Sequence, residues 1–162
     1  MNKKLTNIVV AGLGGQGVLK ASDIIADVAF YAGLDVKKSE VHGMSQRGGS
    51  VASDVRFGDR VFSPMVPAGE ADYLVVISAD QVDVNIAALS PTGVLIEPSQ
   101  VDESKLQSKK SMNVALLGVL SRYLKFSEEE WIAAIKRSLP EKLHASNIEA
   151  FLAAKNALIA AE

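Results

Sequence analysis

A glycine-rich turn between a short β-branched run and a helical pattern constrains the fold of this chain more than any other feature. The turn reads Gly12-Leu13-Gly14-Gly15-Gln16-Gly17. It follows a predicted strand over residues 5–11, and apolar residues then recur with helical spacing until Gly33 ends the helix. A second strand is predicted over residues 34–38. This order indicates a βαβ unit with two parallel strands and a right-handed crossover.

The spacing G-x-G-x-x-G over residues 12–17 matches the dinucleotide-binding fingerprint in part. Small residues let a backbone approach an anion, and the helix N-terminus offers unpaired N–H groups. The fingerprint also needs an acid at the end of the second strand, but Asp35 stands too early and Glu40 just past it. Gly15 and Gln16 add width and a polar side chain to the turn. Two interpretations stay open: the turn binds an anion, or its glycines only permit close helix–strand packing.

A second stretch of dense polar chemistry follows the second predicted strand. It reads Glu40-Val41-His42-Gly43-Met44-Ser45-Gln46-Arg47-Gly48-Gly49. A loop that only connects two elements needs turn formers, so this density of hydrogen-bonding groups favours a function, although a plain solvated loop has a similar composition. Both polar turns follow the carboxyl ends of parallel strands, so we expect them on one rim of the sheet, where α/β proteins bind ligands.

The remaining strands predict a mixed sheet. Residues 51–57 and 60–62 flank a Gly-Asp pair and indicate a β-hairpin with a tight turn. The apolar runs 73–78 and 94–97 are typical of inner strands that are buried on both faces, with a weak helix between them.

From residue 111 the pattern is mostly helical, with capping boxes at Ser127/Glu130 and Ser146/Glu149. Trp131 and Phe151, at helical spacing from aliphatic neighbours, are expected in the core. We therefore predict a single domain over residues 1–162 of the α/β class. Its fold is a three-layer α/β/α arrangement with a mostly parallel (mixed) sheet, a Rossmann-like first βαβ unit, a β-hairpin insertion and a helical C-terminus.

Composition narrows the chemistry. The 162 residues contain no cysteine, which excludes disulfides, thiolate nucleophiles and cysteine-ligated iron–sulfur clusters within them. His42 and His144 are the two histidines, so a zinc site is not expected. The formal net charge of -2 comes with scattered Lys and Arg, without the basic stripe of a nucleic-acid binder. No apolar run approaches the roughly 20 residues that span a bilayer, and no signal peptide is indicated, so we expect a cytoplasmic protein.

Three segments together resemble the gamma-type domain of the 2-oxoacid:ferredoxin oxidoreductases and, within that family, the beta subunit of the indolepyruvate type. The segments are the glycine turn, Glu-Val-His-Gly-Met-Ser-Gln-Arg-Gly-Gly-Ser at residues 40–50, and Ser63-Pro64. The resemblance extends over residues 7–80 and weakens beyond them. It implies a complex that oxidatively decarboxylates a 2-oxoacid on thiamine diphosphate, passes electrons through iron–sulfur clusters to ferredoxin, and forms an acyl-CoA. Because the chain is short for the indolepyruvate type, the choice of 2-oxoacid stays open.

The resemblance also implies a division of labour between subunits. The chain has no cysteine for clusters and no Gly-Asp-Gly followed by Asn that holds the magnesium of thiamine diphosphate. Thiamine diphosphate, Mg and the iron–sulfur clusters are therefore expected on a partner subunit, with ferredoxin, the 2-oxoacid and CoA as further partners. The isolated chain is expected to be inactive and to hold no cofactor or metal alone.

The resemblance places cofactor-binding or interface residues in the two turns. They are Gly12, Gly14, Gly15, Gln16, Gly17, Glu40, His42, Gly43, Ser45, Gln46, Arg47, Gly48 and Gly49. Arg47 is expected to bind an anion or carboxylate with its planar guanidinium, and Ser45 and Gln46 to orient it by hydrogen bonds. His42 either donates to a substrate or phosphate oxygen or relays a proton, or it only braces the loop against Glu40. Two other functions stay open: a freestanding NAD(P)-binding dehydrogenase and a non-catalytic scaffold domain.

Overall fold

The strands form one mixed sheet in the order β2-β3-β1-β4-β5. The computed structural model describes residues 5–42 and 48–157. The strands are β1 Leu5–Leu13, β2 Asp35–His42, β3 Ser50–Gly58, β4 Ala71–Val76 and β5 Leu89–Ile96. β4 pairs in parallel with β1 and β5, whereas β3 pairs antiparallel with β1 and β2. Within the described residues β3 alone runs against the others, so the prediction of a mixed, mostly parallel sheet is confirmed.

The longer helices follow the sequence pattern closely. They are α1 Val18–Tyr31, α3 Met112–Ser121, α4 Glu128–Ser138 and α5 His144–Ala157, and a short α2 spans Val82–Asn85. Three of them follow β5, which confirms the helical C-terminus. Across residues 5–42 and 48–157, none of the helices has the length and apolar character needed to cross a membrane.

One face of the sheet carries the main core. Ile8 and Val10 of β1 and Val55 of β3 point towards α1, α3, α4 and α5, and the buried residues of these elements form one cluster. Trp131 and Phe151 are 1% and 0% exposed within it, as predicted, and their ring centroids lie 5.7 Å apart. Alternation along β1 sends the intervening residue Val9 to the opposite face.

The opposite face has a much thinner cover. Its buried cluster of Val9, Ala71, Leu74 and Val76 packs against residues of two short segments, 59–69 and 79–88. The second segment consists of α2 between the single turns Ala79–Gln81 and Ile86–Ala88. The layers on the two faces are therefore unequal: the long helices lie on one face, and single turns and a loop lie on the other.

The β-hairpin forms between different segments from those predicted. Its arms are β2 and β3, and the predicted second arm at residues 60–62 is not a strand. Both edges of β3 are occupied by β1 and β2, so residues 60–62 find no free edge to pair with. The backbone of Val61 instead hydrogen-bonds to side chains of β2: Val61 N donates to Asp35 Oδ2 at 2.7 Å, and Lys37 Nζ donates to Val61 O.

The predicted second strand is longer than its pattern and has a different neighbour. β2 continues to His42 because Ser39, Glu40 and Val41 pair with β3. β1 and β2 run in the same direction, as the βαβ prediction requires, but β3 lies between them. The sequence from Glu40 to His42 is therefore strand, not turn.

The two predicted capping boxes have different outcomes. At α4, Glu130 N donates to Ser127 Oγ at 3.1 Å, and Ser127 N donates to Glu130 Oε2 at 2.7 Å, which confirms the first box. The second box is wrong, because α5 begins at His144 and Ser146 lies inside its first turn. His144 Nε2 instead hydrogen-bonds to Leu139 O at 2.7 Å, at the end of α4.

Candidate functional site

The two polar turns meet at the rim where β1 and β2 end. Gly14 N donates to Gly49 O at 2.9 Å. A Cβ built on Gly14 lies only 3.1 Å from Gly48 N, so the two backbones are in close contact. The prediction that both turns share one rim therefore holds for the flanks that the structure describes. Gly43, Ser45, Gln46, Arg47 and the side chain of His42 lie outside the described residues, and their roles stay predictions.

Gln16 shapes the glycine turn from within. Its Oε1 accepts a hydrogen bond from Leu13 N at 2.7 Å, and its backbone N donates to Leu13 O at 3.1 Å. Gly15 and Gly17 have φ angles of 86° and 83°, which residues other than glycine rarely adopt. The amide oxygen of Gln16 therefore serves the turn itself.

Three of the glycines are required by contacts inside the protein. A Cβ on Gly12 lies 3.0 Å from Val18 Cγ2, and one on Gly17 lies 2.4 Å from Asn113 Nδ2. Gly14 makes the close contact with the second turn described above. For Gly12, Gly14 and Gly17 the structure thus supports the packing interpretation of the fingerprint.

Gly15 differs from its neighbours. It is exposed, and a Cβ built on it meets nothing within 4 Å. It borders two clefts, of about 520 Å³ and about 420 Å³, on either side of the turn. Both volumes fall in the range of about 300–1,000 Å³ that is usual for small-molecule sites.

The larger cleft, here called the rim cleft, lies beyond the carboxyl ends of β1, β4 and β5. Gly15 and Gln16 border it on one side, Ser78 follows β4, and Lys109 and Lys110 stand before α3. The first backbone N–H groups of α1 lack acceptors within the helix. The N-terminus of α1, which is the positive end of its dipole, faces this rim. Glu103 also borders the cleft, but the two lysines and the N–H groups outweigh its single carboxylate, so the rim cleft suits an anionic group.

The acid that a dinucleotide site needs is not beside the glycine turn. With β3 inserted, β2 lies about 10 Å from β1 at the usual spacing of about 4.8 Å per strand. Glu40 is level with Val10, not with the turn, and its Oε1 lies 3.2 Å from Lys38 Nζ. Asp35 sits at the far end of β2, where the hydrogen bond from Val61 N holds the pKa of its carboxyl below the usual value.

Two polar residues that the sequence did not single out support the rim. Gln81, which is 8% exposed, accepts a hydrogen bond from Ser50 Oγ at 2.7 Å and joins the segment after β4 to the start of β3. Asn113, which is 6% exposed, donates to Gly17 O at 3.2 Å and joins α3 to the glycine turn. A lone asparagine at the start of an apolar helix was the available signal for Asn113, whereas Gln81 follows a strand as many surface residues do.

Comparison with known sequences identifies the family. Residues 7–105 match the model described as pyruvate ferredoxin/flavodoxin oxidoreductase. The indolepyruvate oxidoreductase subunit IorB of Thermococcus kodakarensis is 35% identical over 187 aligned positions, which cover 90% of this chain and 92% of that protein. IorB of Pyrococcus horikoshii is 52% identical over 77 residues, or 48% of this chain and 37% of that protein, so this match spans little more than a third of the relative's length.

Solved structures share the fold over nearly the whole chain. The gamma subunit of a keto/oxoacid ferredoxin oxidoreductase from Geobacter sulfurreducens superposes with a TM-score of 0.81 at 24% identity, covering 98% of this chain and 99% of that one. A 2-oxoglutarate:ferredoxin oxidoreductase from Magnetococcus marinus gives 0.83 at 22% identity, covering 99% of this chain and 32% of that chain. The sequence match over residues 7–105, together with the Thermococcus relative, shows that the chain belongs to the pyruvate ferredoxin/flavodoxin oxidoreductase family.

Proposed function

We propose that this chain is the cluster-free subunit of a thiamine-diphosphate-dependent 2-oxoacid:ferredoxin oxidoreductase whose substrate is indolepyruvate or another arylpyruvate. The complex decarboxylates the 2-oxoacid oxidatively, forms an acyl-CoA and reduces ferredoxin. The names of the IorB relatives from four organisms support the choice of indolepyruvate.

The hydrogen bond from Gly14 N to Gly49 O carries this proposal. It joins the glycine turn to the end of the second family motif, residues 40–50, which supports a shared rim for the two motifs. The 162 residues offer no cysteine for clusters. Among the described residues no three His, Asp or Glu side chains come together to hold a metal ion. A chain without cysteine, whose two family motifs come together at one rim, suits a subunit that completes a site held by a partner.

In this proposal thiamine diphosphate, bound by the partner, supplies the carbanion chemistry. The present chain binds and orients the anionic group of the substrate or of CoA. Arg47 pairs with the carboxylate of the 2-oxoacid or with a CoA phosphate, while Ser45 and Gln46 hold that anion in place. The structure of the Magnetococcus neighbour was solved with 2-oxoglutarate, coenzyme A and succinyl-CoA bound, and all three are anions of the kind that this proposal invokes.

Co-expression tests the proposal. The full chain is produced with the thiamine-diphosphate-binding subunit encoded in the same genome, and reduction of ferredoxin is followed with indolepyruvate and CoA. We expect a stable complex and turnover that requires both subunits. A chain that never associates with such a subunit, or that leaves its activity unchanged, refutes the proposal.

Arg47→Ala in the assembled complex separates a functional rim from a scaffold. Loss of a charged hydrogen bond costs about 1.5–3 kcal/mol, so kcat/KM for the 2-oxoacid should fall about 10- to 160-fold. Arg137→Ala is the matched control, because Arg137 pairs with Asp27 and lies over Tyr31, at the end of α1 away from the glycine turn. A scaffold role predicts unchanged turnover for both variants.

The dehydrogenase alternative has less support from the geometry. Atoms of this chain pack closely against Gly12, Gly14 and Gly17, and no acid of β2 lies beside the turn. Titration of the isolated chain with NAD and NADP by calorimetry decides the point. Micromolar or tighter binding of either nucleotide favours the dehydrogenase and counts against the oxidoreductase subunit.

A further inference from the structure

A loop over residues 59–69, here called the strap, crosses the sheet face that lacks the long helices. Charged side chains of β2 and β3 fix its backbone. The hydrogen bonds run from Val61 N to Asp35 Oδ2 at 2.7 Å, from Arg56 Nη1 to Ser63 O at 2.9 Å, from Val66 N to Asp54 Oδ2 at 2.9 Å, and from Lys37 Nζ to Val61 O. Because the sheet holds the strap at several points, the directions of its side chains are also set.

The strap points large apolar side chains into solvent. Within the strap Val61 is buried at 2% exposure, whereas Phe62 is 84% exposed and Met65 is 58% exposed. Exposure of this size on an anchored backbone is not a result of fraying. Rigidly held apolar side chains lose little conformational freedom on binding, which is the property of good interface anchors.

Further exposed apolar residues lie on the same side of the sheet. Val41 of β2 is 54% exposed and lies beside Ala52 of β3. Val84 and Ile86, on the helical segment 79–88, are 62% and 42% exposed. The strap and this segment pack on the same buried cluster, so they form one surface. We call Val41, Phe62, Met65, Val84 and Ile86 the apolar face.

We propose that the apolar face is the surface on which the thiamine-diphosphate-binding partner subunit docks, with Phe62 and Met65 as its central anchors. This inference rests on the proposed function. Apolar surface rimmed by polar residues marks interaction sites on soluble proteins. The opposite sheet face is already closed by α1, α3, α4 and α5, which leaves the apolar face for a partner.

The family shows why the partner should be the rest of the enzyme. In the Magnetococcus oxidoreductase this fold makes up 32% of a longer chain. The ketoisovalerate oxidoreductase subunit VorA of Methanothermobacter marburgensis matches 72% of the present chain within 24% of its own length. In these longer chains the fold is covalently continuous with other parts of an oxidoreductase. Val41 belongs both to the apolar face and to the family motif at residues 40–50, so a subunit docked on this face also reaches the rim.

Charge substitution on the apolar face tests the proposal. The double variant Phe62→Glu/Met65→Glu and the control Phe30→Glu are made in the full chain, and each is titrated against the thiamine-diphosphate-binding subunit by calorimetry. Phe30 is 65% exposed on α1, on the other side of the sheet. Anchor residues are typically worth about 2 kcal/mol or more, so the Kd of the double variant should rise at least about 30-fold. The control should stay within about twofold of wild type.

Because none of these side chains is buried, both variants should fold, and circular dichroism and the melting temperature check this. A photo-cross-linking residue at position 62 should join the chain covalently to the partner subunit. Wild-type binding combined with unchanged binding of the double variant overturns the docking surface and leaves the proposed function intact. A cross-link that joins two copies of this chain also overturns it. A wild-type chain that does not bind the partner overturns both.

Discussion

The substitution Gly17→Ala tests the geometry of the glycine turn. Gly17 has a φ of 83°, and the left-handed region costs an alanine about 1–2 kcal/mol. The new Cβ would lie 2.4 Å from Asn113 Nδ2 and 3.1 Å from Asn113 Cγ. Asn113 is 6% exposed and must move within a packed interior, which costs about 1–3 kcal/mol more. We expect Gly17→Ala to lower the free energy of unfolding by about 2–5 kcal/mol.

A double-mutant cycle separates the two contributions. In an Asn113→Ala background the contact disappears, and Gly17→Ala should cost only the backbone term of about 1–2 kcal/mol. Gly15→Ala is the matched control, since Gly15 has a φ of 86° and its Cβ would meet nothing within 4 Å. This control should also show only the backbone cost.

Urea unfolding followed by tryptophan fluorescence provides the measurement, because Trp131 is 1% exposed in the core. The coupling free energy between Gly17 and Asn113 is expected to be about 1–3 kcal/mol. Equal costs of Gly17→Ala in both backgrounds, or a cost no larger than that of Gly15→Ala, would show that Gly17 is not kept small by contact with α3.

Three further substitutions test other parts of the fold. Gly118→Ala places a Cβ 2.2 Å from Phe151 O, and because helix backbones yield poorly, thermal unfolding should show a loss of about 3 kcal/mol. Ser127→Ala removes the N-cap of α4 and should cost about 1 kcal/mol in urea unfolding. The bond from Val61 N lowers the pKa of Asp35 below its ordinary 3.8. The stabilisation of the fold by the ionised Asp35 carboxylate is complete above pH 3.8 and is lost as the pH falls through the lower folded-state pKa. The difference in free energy of unfolding between wild type and Asp35→Asn should therefore shrink only in that acid range.

Local signals in the sequence were sufficient for much of the fold. The glycine turn between β1 and α1 and the capping box at Ser127 each depend on residues within one turn of chain, and both formed where the sequence indicates. The sharing of one rim by two turns follows from strand direction alone, a rule that needs no knowledge of strand order.

Strand order could not be read from the sequence. The pattern of residues 50–58 does not say that β3 inserts between β1 and β2, since this depends on pairing with two strands that are distant in sequence. The same limit explains β5, whose bounds include Pro91 and Gly93. Proline is tolerated there because β5 is an edge strand with a register shift against β4.

The site shows the same division between local and tertiary information. The expectation that Gly14 lies near the second turn followed from topology, whereas the roles of Gln81 and Asn113 arise from tertiary contacts with Ser50 and Gly17. A single sequence carries no signal for such contacts. Glu40 is the acid that opens the second polar stretch of the sequence, but its backbone pairs with Ser53 in the sheet.

The central claim is that this chain works only as part of a larger enzyme. Its most direct test is to tag the chain in its native host, isolate it under anaerobic conditions, and measure the mass, thiamine diphosphate and iron of what is recovered. We expect a hetero-oligomer that contains both cofactors and reduces ferredoxin with an arylpyruvate and CoA. Recovery of the chain alone, without thiamine diphosphate or iron, would contradict the claim.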